Sequence, residues 1–138
     1  MRKKIWSIVL VLFLFLIVYV IYDEFDRPHR RKQNFSLVKA DVVNVVVDVM
    51  NGSQGADITY KIKINGRDIV TTTKINHEKS CLLFILINKQ MDVVYEKDDP
   101  GNCEILLSRN SYKEYNLLPP KDILHVLEAL ETACGAIQ

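Results

Sequence analysis

The feature that most constrains this chain is a charge-free run, Ile5–Tyr22 (IWSIVLVLFLFLIVYVIY), bracketed by Arg2-Lys3-Lys4 on one side and Asp23-Glu24 on the other. A helix over it rises roughly 27 Å at about 1.5 Å per residue, nearly the hydrocarbon thickness of a bilayer at about 30 Å. Trp6 at one end and Tyr19 and Tyr22 at the other place amphipathic rings where water meets lipid. A cleavable signal peptide opens in the same way. This run outlasts an ordinary h-region, however, and it ends in VIYDEFD without a small-x-small cleavage site or a following Cys. Residues 1–22 therefore read as an uncleaved transmembrane anchor, with the lipid bilayer as the first partner. Arg2, Lys3 and Lys4 abut the apolar run and favour a cytoplasmic N-terminus, which puts the soluble part outside an inner membrane. Arg27, Arg30, Arg31 and Lys32 pull the other way, but they lie farther from the run and are mixed with acids.

The remainder is ordinary globular material. Of 18 Lys plus Arg in 138 residues, Arg2, Lys3 and Lys4 precede Asp23, leaving 15 bases against 17 acids beyond it, a net of −2. A nucleic-acid binder would show a basic stripe to neutralise phosphates, so that class is set aside. Residues 23–36 (DEFDRPHRRKQNFS) read as a juxtamembrane linker, with Pro28 expected to break any helical continuation. Its bases read as a solvated stop-transfer flank, with contact to anionic headgroups as the alternative.

From Leu37 the hydrophobic period becomes two. Val43, Val45, Val47 and Val49 alternate with Asn44, Val46 and Asp48, predicting a strand with one buried face and with Val43, Val45 and Val47 in the core. Ile58, Tyr60, Ile62 and Ile64 alternate with Thr59, Lys61 and Lys63, and Asn65-Gly66 follows at once. That dipeptide suits a type I′ turn, whose central residues both need positive φ, so Arg67–Thr73 is expected to fold straight back. Cys81–Ile87 is apolar at every position, which leaves a buried strand or a short core helix, with Leu83 and Ile85 in the core. Met91–Glu96 reads as a strand with Met91, Val93 and Tyr95 on one face, Asp98–Asn102 as a turn, and Glu104–Ser108 as a last short strand containing Leu106. After Pro119-Pro120, the positions of Ile123, Leu127, Leu130 and Cys134 follow a helical period, with Gly135 as a C-terminal stop. The expected architecture is mainly β with α: an N-terminal transmembrane helix, a small antiparallel barrel-like domain of about five strands over residues 37–118, and a C-terminal amphipathic helix over 119–138 packed on it.

One resemblance follows from the order of these pieces. The hairpin Tyr60–Gly66 (YKIKING), then Val93-Val94-Tyr95 with Asp99-Pro100 a few residues on, then Glu104–Leu107 (EILL) resembles a group of short, uncharacterised bacterial proteins with one N-terminal membrane helix. In that group a strand ending in Val-Asn-Gly is followed by Val-x-Tyr-x-x-x-Asn-Pro and a Leu-rich closing strand. The likeness covers the anchor and about Val42 to Leu107. The chain departs from it in having Asp99 before Pro100, Asn88-Lys89 where a Gly-Lys turn is usual, and a C-terminal helix. The resemblance implies a small β domain held at a membrane; it implies no activity, and no functional residue is carried over.

Chemistry is sparsely signposted. His29, His77 and His125 are scattered over the linker, a loop and the C-terminal helix, without C-x-x-C or H-E-x-x-H spacing, so no metal is expected. His77, Glu78 and Cys81 form the nearest ligand or nucleophile group, against the plainer reading of a polar loop entering a buried segment. Glu96, Asp98 and Asp99 are a small acidic group at a turn, read as solvated rather than cation-binding. Ser80, Ser108 and Ser111 carry no nucleophile signature, and Asn51–Gly55 lacks the Lys and helix of a phosphate loop. Of the three cysteines, Cys81 and Cys103 are the expected pair if the domain lies outside, with Cys134 on the helix stripe; buried free thiols are the alternative.

The functional expectation is a non-enzymatic, membrane-tethered protein-interaction module of the bacterial cell envelope, with exposed strand edges and the helix face as contact surfaces. No cofactor, metal, small-molecule substrate or nucleic-acid partner is expected. Two rivals are retained: an immunity or inhibitor protein acting at the membrane, and a thiol-dependent or hydrolytic enzyme built on Cys81, His77 and Glu78.

Overall fold

The computed structural model describes residues 2–48, 55–76 and 80–133. Helix α1 (Arg2–Gln33) leads into strand β1 (Phe35–Asp48), followed by β2 (Gly55–Ile64), β3 (Arg67–Asn76), a 3₁₀ helix (Ser80–Leu86), β4 (Gln90–Glu96), β5 (Cys103–Ile105), α2 (Arg109–Glu114) and α3 (Leu124–Ala133). The strands form a five-stranded antiparallel sheet in the order β3-β2-β1-β4-β5, curled into a half-barrel. The long apolar helix, the small curled sheet and the closing C-terminal helix are those the sequence predicts.

Helix α1 carries an exposed apolar surface from Trp6 through Tyr22, which no other described residue covers, and it is long and apolar enough to cross a membrane. It does not stop at Pro28. It runs on to Gln33, so the segment expected as a linker is helix almost to the first strand. Proline inside a helix removes one backbone bond and costs about 3 kcal/mol. Here the bases flanking Pro28 on the helix, Arg27, Arg30, Arg31 and Lys32, all reach acids and tie this stretch to the rest of the domain.

The hairpin is as read. Ile64 pairs with Arg67 across the turn, with Asn65 at φ 51° and Gly66 at φ 78°, and the ladder continues to Gly55 opposite Asn76. Ile58, Tyr60, Ile62 and Ile64 are all buried. Strand β1 corrects the expected alternation. Val42 pairs with Tyr60 and Asn44 with Thr59, so Val43 is the extra residue of a β-bulge and lies 54% exposed. A bulge adds one residue to one strand and switches which parity faces the core. Ala40 and Val42 point inward before it and Val45 after it.

The apolar run from Cys81 resolves into the 3₁₀ helix. With about three residues per turn, positions i and i+3 share a face. Leu83 and Leu86 are accordingly buried while Phe84 points out, and Ile85 is only partly buried. Strand β4 is buried on both faces, with Met91 and Val93 on one side and Asp92 and Val94 on the other; Tyr95 is only partly buried. The last strand is shorter than expected, Cys103–Ile105, and the chain after it turns into α2. In α3 and just before it, Ile123, Val126, Leu127 and Leu130 join the core; Cys134 and Gly135 lie outside the described residues.

Candidate functional site

The densest polar constellation joins the end of α1 to the β4–β5 side of the sheet. It begins with Arg31, whose side chain is 12% exposed. Its Nε donates to Tyr115 Oη at 2.8 Å, its Nη1 to Asn102 Oδ1 at 2.8 Å and to the Cys103 carbonyl at 3.5 Å, and its Nη2 to Glu104 Oε2. Tyr115 Oη in turn donates to Glu104 Oε2 at 2.8 Å. The planar fork of a guanidinium suits this use, because several donors reach several acceptors without a change of rotamer. Tyr115 also packs edge-on against Phe35, with ring centroids 5.1 Å apart. Burial is the main reason its phenol is pushed up to about 12; Glu104 adds to the rise and Arg31 opposes it.

Asn102 is the second element of the junction. Besides accepting from Arg31, its amide donates to the Arg27 carbonyl at 2.7 Å and to Glu96 Oε2 at 2.8 Å, and the residue is 3% exposed. Glu96 also faces Arg30 Nε at 3.4 Å. Around this centre Arg27 pairs with Asp99 at 3.7 Å, Lys32 with Glu114 at 2.6 Å, and Asn34 donates to Asp98 at 2.8 Å. The acidic group expected to be solvated is thus where the sheet receives the helix. Its three members, Glu96, Asp98 and Asp99, all engage residues between Arg27 and Asn34.

A smaller polar group lies on the same strand. Asp92 is 2% exposed at its side chain and is met by Lys39 Nζ at 2.9 Å and Tyr112 Oη at 2.8 Å. A buried carboxylate needs such partners to replace the water it gives up. Burial first, and then the bond to Asp92, raises the pKa of Tyr112.

The His77–Glu78–Cys81 group cannot be placed from the described residues, and the other sequence candidates serve local structure. His77 and Glu78 lie outside the described residues, and Cys81 enters the description as the start of the 3₁₀ helix. Cys103 is a free thiol, so the Cys81–Cys103 disulfide is not formed; its Sγ stands 3.5 Å from Tyr60 Oη, which also meets Thr73 Oγ1 at 3.1 Å. Ser108 caps α2, with its Oγ accepting from Ser111 N at 3.1 Å and Ser111 Oγ accepting from Ser108 N at 3.1 Å. Both serines therefore serve a capping box, which their spacing signals. His29 meets Gln33 at 2.8 Å, and His125 sits exposed on α3. Among the described residues no three His, Cys, Asp or Glu side chains gather as a metal site.

Two open features complete the surface. Strand β3 is the outermost strand on its side of the sheet, with no further strand beside it among the described residues. Because Ile64 and Arg67 close the two-residue turn, Val70, Thr72 and Lys74 present their backbone N–H and C=O away from β2. Beside that edge, a cavity of about 210 Å³ opens between Thr73 and Ile75 of β3, Glu104 and Ile105 of β5, and Ser111 and Glu114 of α2. Comparison with protein-family models, with curated proteins and with solved structures gives no match.

Proposed function

We propose that this chain is a non-enzymatic, membrane-tethered interaction module of the bacterial cell envelope, which presents the free edge of β3 to a protein partner on the outer face of the inner membrane. The observation that carries this reading is the contrast between the two sides of the sheet. On the β4–β5 side the polar groups are consumed internally: Arg31, Asn102, Glu96 and Glu104 bind one another, and Asp92 is held by Lys39 and Tyr112. On the β3 side a ten-residue strand has, among the described residues, no strand beside its outer row of backbone donors and acceptors, and Val70 is 63% exposed upon it. An extended peptide gains main-chain bonds from such an edge and specificity from alternate side-chain positions. The outward placement of the domain rests on Arg2, Lys3 and Lys4 next to the apolar run.

A photo-crosslinking residue at Thr72 in the full-length chain, expressed in cells, tests the edge. The expected result is a discrete adduct that disappears with Val70→Pro, since Pro there removes an outward donor without breaking the β2–β3 ladder. An adduct indifferent to Val70→Pro, or none at all, would overturn the reading. Labelling of Asn51→Cys by an impermeant maleimide in intact cells reports the membrane side, and labelling only after lysis would reverse it.

A further inference from the structure

The outer row of β3 carries its own complement. Arg67, Ile69, Thr71 and Thr73 exchange backbone bonds with β2, because Ile64 and Arg67 close the two-residue turn and the ladder alternates from there. Asp68, Val70, Thr72 and Lys74 therefore turn their N–H and C=O groups away from β2. The side chains of these four are exposed, whereas those of Ile69, Thr71, Thr73 and Ile75 are half-buried on the inner face. A cavity of about 360 Å³ lies between Arg67, Ile69 and Pro100, and the one of about 210 Å³ separates Thr73 and Ile75 from β5 and α2. The far side of the curled sheet thus stops short of this edge, and β5 does not pair with it. Edge strands are ordinarily protected by proline, a bulge or shortness. The ten residues of β3 contain no proline and pair with β2 without a register shift. Their outward charges are one acid and one base, Asp68 and Lys74, three residues to either side of Thr71.

That symmetry selects a partner. Two β3 strands related by a two-fold axis at Thr71 pair antiparallel with Val70 opposite Thr72 and Asp68 opposite Lys74, each pair occurring twice as in any isologous contact. All four pairs join residues whose backbone groups face outward, so each can exchange both of its hydrogen bonds. Moving the axis by one residue, to Val70 or Thr72, sets Asp68 opposite Thr72 or Asn76 and loses both charge pairs. On the β2 side Asp68 faces Lys63 and meets Lys61 at 2.8 Å, and Lys74 faces Asp57. Across the joint the outer face then reads Lys63 and Asp68 of one copy, followed by Lys74 and Asp57 of the other, alternating in sign. Opposite charges directly across a ladder are stabilising and like charges are not. We infer that the partner received by β3 is a second copy of this chain, joined edge to edge about Thr71 into one continuous ten-stranded sheet. The inference rests on the reading of β3 as the docking edge and names its occupant. Two chains anchored in one membrane also meet at a raised effective concentration, which favours such a contact.

Two full-length chains with different epitope tags, co-expressed and each carrying a photo-crosslinking residue at Thr72, test it. The expected result is an adduct of twice the chain's mass that bears both tags. Asp68→Lys in both chains, or Lys74→Asp in both, sets like charges opposite each other in both rows and should lower the adduct about tenfold. Asp68→Lys in one chain and Lys74→Asp in the other makes both rows opposite in sign again, and this mixture should restore the adduct between the two tags. Both positions are exposed, and unchanged hydrogen exchange of the β1 and β4 amides in each purified variant shows an intact fold. A doubled-mass adduct that is indifferent to charge reversal, or that the mixture does not restore, would overturn the pairing about Thr71. An adduct with a different protein would overturn the second copy and leave β3 as the docking edge. Absence of any adduct would overturn both.

Discussion

Replacing Arg31 tests whether the helix and the sheet are held as one unit. Its side chain is 12% exposed and that of its partner Glu104 is 31% exposed. Removing one member of a fully buried ion pair costs about 3–5 kcal/mol, and hydrogen bonds to charged groups are worth about 1.5–3 kcal/mol each. Glu104 keeps some access to water and retains the Tyr115 hydroxyl as a donor, so solvent screening moves the expectation to the lower end. Arg31→Met should therefore destabilise the domain by about 2–3 kcal/mol. Arg31→Lys should recover only part of this, because one ammonium cannot serve Tyr115, Asn102 and Glu104 together. Urea unfolding of the full chain in nanodiscs, followed by near-ultraviolet circular dichroism, reads the change; at an m-value of about 1–2 kcal/mol per molar, the midpoint falls by about 1–3 M. A double-mutant cycle with Glu104→Gln isolates the pair and should give a coupling of about 1 kcal/mol or more. An unchanged midpoint, or strict additivity of the two substitutions, would refute the argument that this junction holds α1 to the sheet.

The domain should also be labile to alkali. Tyr115 is raised from the ordinary 10.0 to about 12, chiefly by burial, and Tyr60 and Tyr112 are raised by burial as well. A folded pKa above the unfolded one contributes stability that is complete below about pH 10 and lost as pH rises through about 12. The unfolding midpoint should fall across that window in step with tyrosinate absorbance, and a flat profile would contradict the buried placement of these phenols. In the 3₁₀ helix, Leu83→Ala should cost about 2–5 kcal/mol because the side chain is fully buried, whereas Phe84→Ala, at 54% exposed, should stay within about 0.5 kcal/mol. Equal effects on thermal unfolding would mean that the segment packs with a different period.

The parts of this fold that could be read from the sequence are those whose cause lies within a few residues. The charge-free run names its own solvent, Asn65-Gly66 needs only its own backbone angles, and the stripe of Ile123, Leu127 and Leu130 repeats with the helix it forms. The β1 bulge was illegible because Val42 and Val43 are the same residue, and a run of valines cannot say which of two neighbours is the extra one. The junction was illegible for a different reason. Arg31 finds Asn102, Cys103, Glu104 and Tyr115 at separations of 71 to 84 residues, and a contact of that range leaves no period. Judged beside its chain neighbours alone, Pro28 ends a helix and the bases after it belong to solvent. The one trace available was reciprocal charge: a basic segment from Arg27 to Lys32, and an acidic one formed by Glu96, Asp98, Asp99 and Glu104. That match bears on function as well as fold. Bases next to a membrane helix are ordinarily credited with meeting lipid, but once they are bound to the domain's own acids, any headgroup contact must come from elsewhere on the domain.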